Sequence, residues 1–452
     1  MRLLRNPILV GVAVGCGIRI RAGGGSGVVG RCLAWLVTLL ACGIASGEVS
    51  LAVRGGTIHT MAGPPISDGV ILIENGKIAR VGSASEVAIP AGVRTIEAKV
   101  VVPGLIDAHT IVGLQGYENE PRENDVLDRT GPFQPELRAV DAFNCQERLL
   151  EWVRGFGVTT IHTGPAPQAL SGGQTAVFKT FGQTVEDCLL KPDAMVSITL
   201  GPSGLVRETP SAASAAPAGK SPGTRAKQMA MLRQELIRAG EYEARRSRAA
   251  ATTAPSADDA EGKSTARDLR LEVLVEVLKK RKPLLITAQR SQDILLALKL
   301  KEEFDLKIVL DLAEESYLLL DQIKAAGVPV IIHPTMKRAF EDSENLSMET
   351  AAKLKAAGIP FAFQSGYESY VPKTRVVLFE AAVAAANGLK FEDALAALTI
   401  VPAQILGIAE RVGSIEVGKD ADLALFDGDP FEYTTHCVAT LIDGRIVHDA
   451  PR

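Results

Sequence analysis

The pattern predicts an α/β protein: a (β/α)8 TIM-like barrel plus a small β-sandwich-like domain formed from both ends of the mature chain. Three observations predict it. Apolar strand-like runs alternate with helical stretches through the middle of the chain, the signature of β/α units around a parallel sheet. Both flanks show short strands joined by tight turns. Between the first flank and the middle lies Pro103-Gly104-Leu105-Ile106-Asp107-Ala108-His109, an apolar run ending in a histidine.

The chain has 452 residues, 46% of them hydrophobic, enough for a large core. A formal net charge of −4 lacks the basic excess of a nucleic-acid binder, and 5% aromatics offers little for base stacking. Residues 1–47 read as a leader. Arg19, Arg21 and Arg31 precede the apolar run from Cys32 to Ala41, and small residues Ala45-Ser46-Gly47 follow. This order matches a secretory signal and predicts an exported protein, periplasmic or extracellular. The alternative is membrane association through an uncleaved leader, although the runs fall short of the ~20 residues a spanning helix needs. Cys42 adds a loose lipoprotein-like pattern. The three cysteines beyond the leader, Cys145, Cys188 and Cys437, form no disulfide framework and no paired-cysteine zinc site, and are expected as buried free thiols.

Residues 48–102 form the first part of the small β-domain. Leu51 to Ile58 reads as a strand, and Gly69 to Ile78 as a hairpin turning at Asn75-Gly76. Residues 103–403 supply the barrel. Its eight expected strands are Val101–Asp107, Val158–Thr163, Thr175–Lys179, Met195–Leu200, Leu284–Gln289, Lys307–Leu312, Val328–His333 and Pro360–Gln364. In the third and fourth, Ser171-Gly172-Gly173 and Phe181-Gly182 could instead bound a hairpin. Ile294–Phe304, Glu349–Ala357 and Thr374–Asn387 show helical spacing. Residues 202–267 break the rhythm with stretches rich in Ala, Ser, Pro and Thr around a helix-forming island, Arg225–Arg248. They are expected as a mobile insertion at the rim, a solvated loop or a substrate lid. Residues 404–452 return to short strands at Asp422–Phe426 and Val438–Val447 and complete the small domain.

Two motifs carry a family resemblance. One is the entry Pro103 to His109. The other is Ala397-Leu398-Thr399-Ile400-Val401-Pro402-Ala403 followed by Gly413-Ser414-Ile415-Glu416-Val417-Gly418-Lys419-Asp420-Ala421-Asp422-Leu423. On these the chain resembles the amidohydrolase superfamily, in particular its imidazolonepropionase- and prolidase-like branch. The resemblance implies hydrolysis of carbon–nitrogen bonds in cyclic amides, amidines or dipeptide-like substrates. It further implies zinc or another divalent metal at the barrel mouth in active members. The implied ligands are a His-x-His on strand one, sometimes a carboxylated lysine, histidines on strands five and six, and an Asp on strand eight.

Matched residue by residue, His109 stands at the first imidazole but Ile111 at the second. Thr287 and Gln289 occupy the strand-five positions, Leu312 the strand-six histidine and Gly366 the strand-eight aspartate. Asp311, next to Leu312, is expected on the opposite strand face. The substitutions predict that the metal site is lost, that His109 is a remnant, and that no cofactor is held. The expected role is then a binding or assembly protein, as a homodimer or paired with an active relative. The alternative is an active amidohydrolase with a rebuilt or reduced metal site, for which Lys179, His162 and His333 are the catalytic candidates. The favoured structural reading is a salt-bridged or snorkelling lysine for Lys179 and hydrogen-bonded strand caps for the two histidines. Gln289, Tyr367 and Glu368 are candidates for binding a small molecule at the mouth.

Overall fold

The computed structural model describes residues 49–118, 120–205, 222–251, 266–332, 343–367 and 376–450. The leader, the low-complexity stretches flanking the island, His333 and Glu368 lie outside the described residues. Among those described, no helix is long and apolar enough to cross a membrane.

The small domain is one seven-stranded sheet drawn from both ends of the described chain. Its strands are β1 (Leu51–Ile58), β2 (Ile66–Glu74), β3 (Lys77–Ser83), β4 (Thr95–Pro103), β15 (Leu423–Phe426), β16 (Cys437–Ile442) and β17 (Arg445–Asp449), ordered β17-β16-β15-β4-β1-β2-β3. Asn75 and Gly76, at φ 50° and 78°, make the turn between β2 and β3, and Asp443-Gly444, at 49° and 69°, the turn between β16 and β17. Two consecutive positive φ values suit the right-handed twist of a hairpin. The sheet curls until these two turns meet: Ala421 N–H donates to Gly76 O at 2.9 Å, and Gly444 N–H to Ala421 O at 3.0 Å. Inside the curl Val53, Ile71, Ile73, Val101, Leu423 and Leu441 form a separate apolar core.

The strand expected over Val101–Asp107 is broken at Gly104. Its first half belongs to β4 of the small sheet, and its second begins β5 (Leu105–Thr110). The central region continues with β6 (Val158–Thr163), β7 (Gly173–Gln174), β8 (Ala176–Lys179), β9 (Leu189–Lys191), β10 (Val196–Thr199), β11 (Leu284–Thr287), β12 (Ile308–Leu312), β13 (Val330–Ile332) and β14 (Phe361–Phe363). These strands form two sheets, β5-β6-β8-β9 and β14-β13-β12-β11-β10-β7, not one closed ladder. A parallel bridge between Thr110 and Gly366 spans them on one side, and on the other Thr175 links β7 to β8.

Strands β10 to β14 run parallel, as do β5 and β6, but β8 is antiparallel to β6 and β7 antiparallel to β10. The third expected strand therefore does not fit an all-parallel barrel. The reason is the helix-free connection after Thr163: a parallel return is usually carried by a crossover helix, and residues 164–175 contain none.

Ten helices are described: α1 (Arg148–Arg154), α2 (Val185–Cys188), α3 (Arg225–Ala251), α4 (Leu269–Leu278), α5 (Ser291–Phe304), α6 (Leu320–Ala326), α7 (Thr350–Ala357), α8 (Val377–Ala386), α9 (Phe391–Ala396) and α10 (Ile400–Leu406). The island expected within a mobile insertion is α3, and it is part of the body. Met229, Leu232, Leu236, Ala239 and Tyr242, spaced as one helical stripe, are buried in the main core with Leu271, Leu274 and Val275 of α4. Between the two sheets a second layer, with Ile106, Ala108, Val177, Leu285, Val309, Ile331 and Ala362, fills the interior.

Candidate functional site

The interior layer fixes which side chains reach the centre. Successive residues of a strand face opposite sides. On β12, Ile308 and Leu310 join the outer core, whereas Val309 faces inward with Leu285 and Ile331. Asp311 is therefore on the inward face, and Leu312 is not. The expectation that Asp311 turns away is overturned: Leu312 already leaves strand geometry at φ 61°, followed by Ala313 at 40°.

Asp311 is fully buried and the hub of a network. His109 Nδ1 lies 3.0 Å from its Oδ1, Gln364 Nε2 donates to the same oxygen at 2.7 Å, and Thr287 Oγ1 donates to Oδ2 at 2.7 Å. These partners come from β5, the end of β14, and β11. Burial alone would raise the Asp311 carboxyl, but the His109 ring and the hydrogen bonds outweigh it and hold it below its ordinary value. Burial opposes charging His109 in turn, and the Asp311 carboxylate overcomes that and raises its pKa. Both shifts run toward the charged form of each partner, imidazolium and carboxylate. His109 Nε2 is buried with no hydrogen-bond partner among the described residues.

Beside it, with ring centroids 5.7 Å apart, His162 spends both nitrogens. Its Nδ1 donates to Ala108 O at 2.6 Å, and its Nε2 accepts from Thr175 Oγ1 at 2.6 Å. Burial, reinforced by the neighbouring His109 charge, lowers its pKa to about 3, so the ring is neutral. Asp107 closes the other side: Ser365 N–H donates to Oδ1 at 3.0 Å and Ser365 Oγ to Oδ2. Burial pushes its carboxyl up to about 7.

The remaining sequence candidates are placed elsewhere. Lys179 is not at the mouth. Its Nζ lies 2.8 Å from Asp420, 3.0 Å from Asp422 and 2.6 Å from Asp443, all at the small domain. As β8 runs against β6, its last residue pairs with Thr160 near the start of β6, away from His109. The salt-bridged alternative describes it. Gln289 is buried between protein partners, its Nε2 donating to Glu314 Oε1 at 3.1 Å and its Oε1 accepting from Ser203 Oγ at 3.2 Å. Tyr367 follows the site half-buried. Ile111 is buried two residues beyond His109. Gly366, at φ 82°, offers its N–H to His109 O at 3.4 Å and so ties β5 to the end of β14.

Sequence reasoning missed Asp311, Gln364, Thr175 and the Asp107–Ser365 pair. The signal for Asp311 was a lone acid in an apolar strand, which must find buried partners. Among the described residues, no group of three or more His, Cys, Asp or Glu side chains is placed to hold a metal ion. A cleft of ≈ 650 Å³ lined by Asp125, Asp128, Glu136, Arg138 and Gln174 contains none of the interior network.

The profile of the Amidohydrolase family matches residues 326–448. The chain is 26% identical over 136 residues to an imidazolonepropionase of Thermoplasma volcanium, covering 29% of this chain and 33% of that protein. It is 40% identical over 75 residues to an amidohydrolase of Hapsidospora irregularis, covering 17% of this chain and 8% of the relative. These matches span a third or less of the curated relatives' own length. The crystal structure of an amidohydrolase from Thermotoga maritima superposes with a TM-score of 0.79 at 28% identity, covering 88% of this chain and all of that one. With the strand-one histidine at the centre of the interior, the matches in both sequence and structure support the amidohydrolase superfamily.

Proposed function

We propose that this chain is a superfamily member in which a hydrogen-bonded network replaces the metal centre. In place of metal-dependent carbon–nitrogen hydrolysis it serves as a binding or assembly protein of the exported compartment. Members of the superfamily generally use a divalent metal such as zinc, and zinc takes three or four nitrogen, sulfur or oxygen donors. The residues here do not fit such an ion. The observation that carries the proposal is the commitment of Asp311 to protein partners: its two oxygens are engaged by His109, Gln364 and Thr287. Asp311 and His109 are thus bonded to each other, while the neighbouring Asp107 is bonded to Ser365 and His162 to Ala108 and Thr175. Ile111 adds hydrocarbon where a second imidazole is implied, and hydrocarbon offers a cation no lone pairs.

The rival reading, a rebuilt hydrolase, draws on Lys179 and His162, whose polar atoms are committed to Asp420, Asp422 and Asp443 and to Ala108 and Thr175. Its third candidate, His333, is outside the described residues. His109 Nε2 is the group left over, and a small molecule presenting a carbonyl or carboxylate oxygen would complete the network there. The strands are proposed as a (β/α)8-type barrel interrupted at β7–β8, a reading supported by the Thermotoga maritima match.

The test is metal content. Purified protein incubated with Zn²⁺, Mn²⁺ or Fe²⁺ and then desalted should retain far less than one equivalent. Stoichiometric, tightly held metal overturns the proposal. N-terminal sequencing of the secreted form tests the export half independently.

A further inference from the structure

Two cysteines far apart in sequence meet on one turn. Cys145, in the loop before α1, donates its thiol to Gln183 O at 3.2 Å. Cys188, at the end of α2, is buried, with its sulfur over the adjacent residue: a Cβ on Gly182 would lie 2.6 Å from it. The same turn is gripped by Gln146, whose Nε2 reaches Gly182 O and Gln183 O, each at 3.2 Å. The two thiols thus approach the same two-residue turn, Gly182-Gln183. Cys145 is half-buried, against the expectation of a buried thiol, while Cys188 and Cys437 are buried.

We propose that Cys145 and Cys188 are a redox modification site, closing to an intrachain disulfide by exchange with a low-molecular-weight disulfide. Accessibility sets the order of events. The partly exposed Cys145 thiolate attacks the reagent disulfide, forming a mixed disulfide and expelling one reagent thiolate. Cys188 then gives up its proton to solvent, and its sulfur attacks Cys145 Sγ and expels the second reagent thiolate. The protein loses two protons and two electrons, and the reagent leaves as two thiols. Burial pushes the Cys188 thiol up to about 12, which keeps it unreactive toward outside reagents. The Arg154 guanidinium, whose Nε lacks a partner among the described residues, offsets part of that burial and favours the thiolate at the resolving step. The covalent tie would join the loop before α1 to α2, across the edge where β8 meets the small domain.

The test uses the full chain, reduced, exchanged into oxidised glutathione, alkylated, and mapped by mass spectrometry after proteolysis. The expected product is a cross-linked peptide pair carrying Cys145 and Cys188, with Cys437 alkylated. In Cys188→Ser, Cys145 should accumulate as a glutathione adduct at least about tenfold more abundant than in wild type. In Cys145→Ser, Cys188 should remain an unmodified thiol. Oxidation should raise the wild-type unfolding midpoint by about 4 °C or more, reversed by reductant. Should Cys188→Ser not fold, Cys188→Ala supplies the same comparison. Wild type that stops at the Cys145–glutathione adduct, or that keeps both cysteines alkylatable under oxidation that modifies the Cys188 variant, overturns the proposal.

Discussion

Asp311 holds His109 through a 3.0 Å contact between Oδ1 and Nδ1, and both side chains are almost wholly shielded from water. A buried ion pair is weak evidence of net stability, because desolvation offsets most of the attraction. Removing one partner is a different matter, since the other is left charged or unsatisfied in a dry interior. Asp311→Ala should therefore cost about 3–5 kcal/mol, read from urea unfolding. It strips His109, Thr287 and Gln364 of a common acceptor. Asp311→Asn keeps the shape and one acceptor oxygen and should cost less. Equal losses in the two variants would mean that the charge, which both lack, carries the whole contribution and that shape and a neutral acceptor carry none.

Placing Asp311 rather than Leu312 on the inward face has a constructive consequence. If the interior keeps the frame of a metal site, histidines at inward positions should restore binding. Ile111→His, Thr287→His and Asp311→His together, with the resident His109, should take up about one equivalent of zinc, given zinc's need for three or four donors. The same set with Leu312→His in place of Asp311→His should not, because Asp311 would persist as the partner of His109. Metal analysis after desalting separates the two. Equal uptake would put the register of β12 in error.

Much of this was legible in the residues themselves. Pro103 to His109 located the start of the central region, and Asn75-Gly76 located a hairpin, because each motif meets a local steric demand. What stayed hidden depended on partners distant in sequence. The direction of β8 cannot be read from its apolar run, since alternation is the same in parallel and antiparallel strands. Helix α3 was expected as a helix-forming island, but its low-complexity neighbours hid its packing in the core, although the Met229, Leu232, Leu236, Ala239 stripe was present in the sequence. Asp311 was set aside by counting strand parity from Leu312, when Val309 was the better reference.

Lys179 ties the central strands to the small domain through Asp420, Asp422 and Asp443, with Lys77 and Arg411 also on Asp420. Lys179→Met should destabilise the fold by about 3–5 kcal/mol, because it leaves buried carboxylates without their cation. The acids should report on pH with opposite signs. Burial opposes the Asp420 charge, but Lys179, Lys77 and Arg411 overcome it and bring the carboxyl down to about 2. Its contribution is present above the ordinary carboxylate value and lost as pH falls toward 2. The wild-type advantage over Asp420→Asn should therefore shrink on acidification below pH ~4. Burial raises Asp422 to about 6. Its contribution is complete at low pH and lost as pH rises through 6, so Asp422→Asn should gain on wild type between pH ~4 and ~7. Parallel pH profiles for the two variants would contradict the opposed environments.

Gly104 is required by contact. It stands where the chain leaves β4 for β5, and a Cβ there would lie 2.1 Å from Thr159 Oγ1 and 2.4 Å from Thr159 Cγ2. Both distances are far inside van der Waals contact, and Thr159 is held near the start of the fully buried strand β6. Gly104→Ala should cost about 1–3 kcal/mol, as overpacking does in a dense core. Thr159→Ala removes both of the nearest atoms. It should cost little alone, because the Thr159 hydroxyl is buried with no hydrogen-bond partner among the described residues. Combined with Gly104→Ala it should recover part of the loss, and only part, since Thr159 Cβ itself lies 2.7 Å from the added carbon. Chemical denaturation of the two single variants and the double variant measures the coupling, and strictly additive losses would mean that the glycine serves backbone freedom and not the approach of β6.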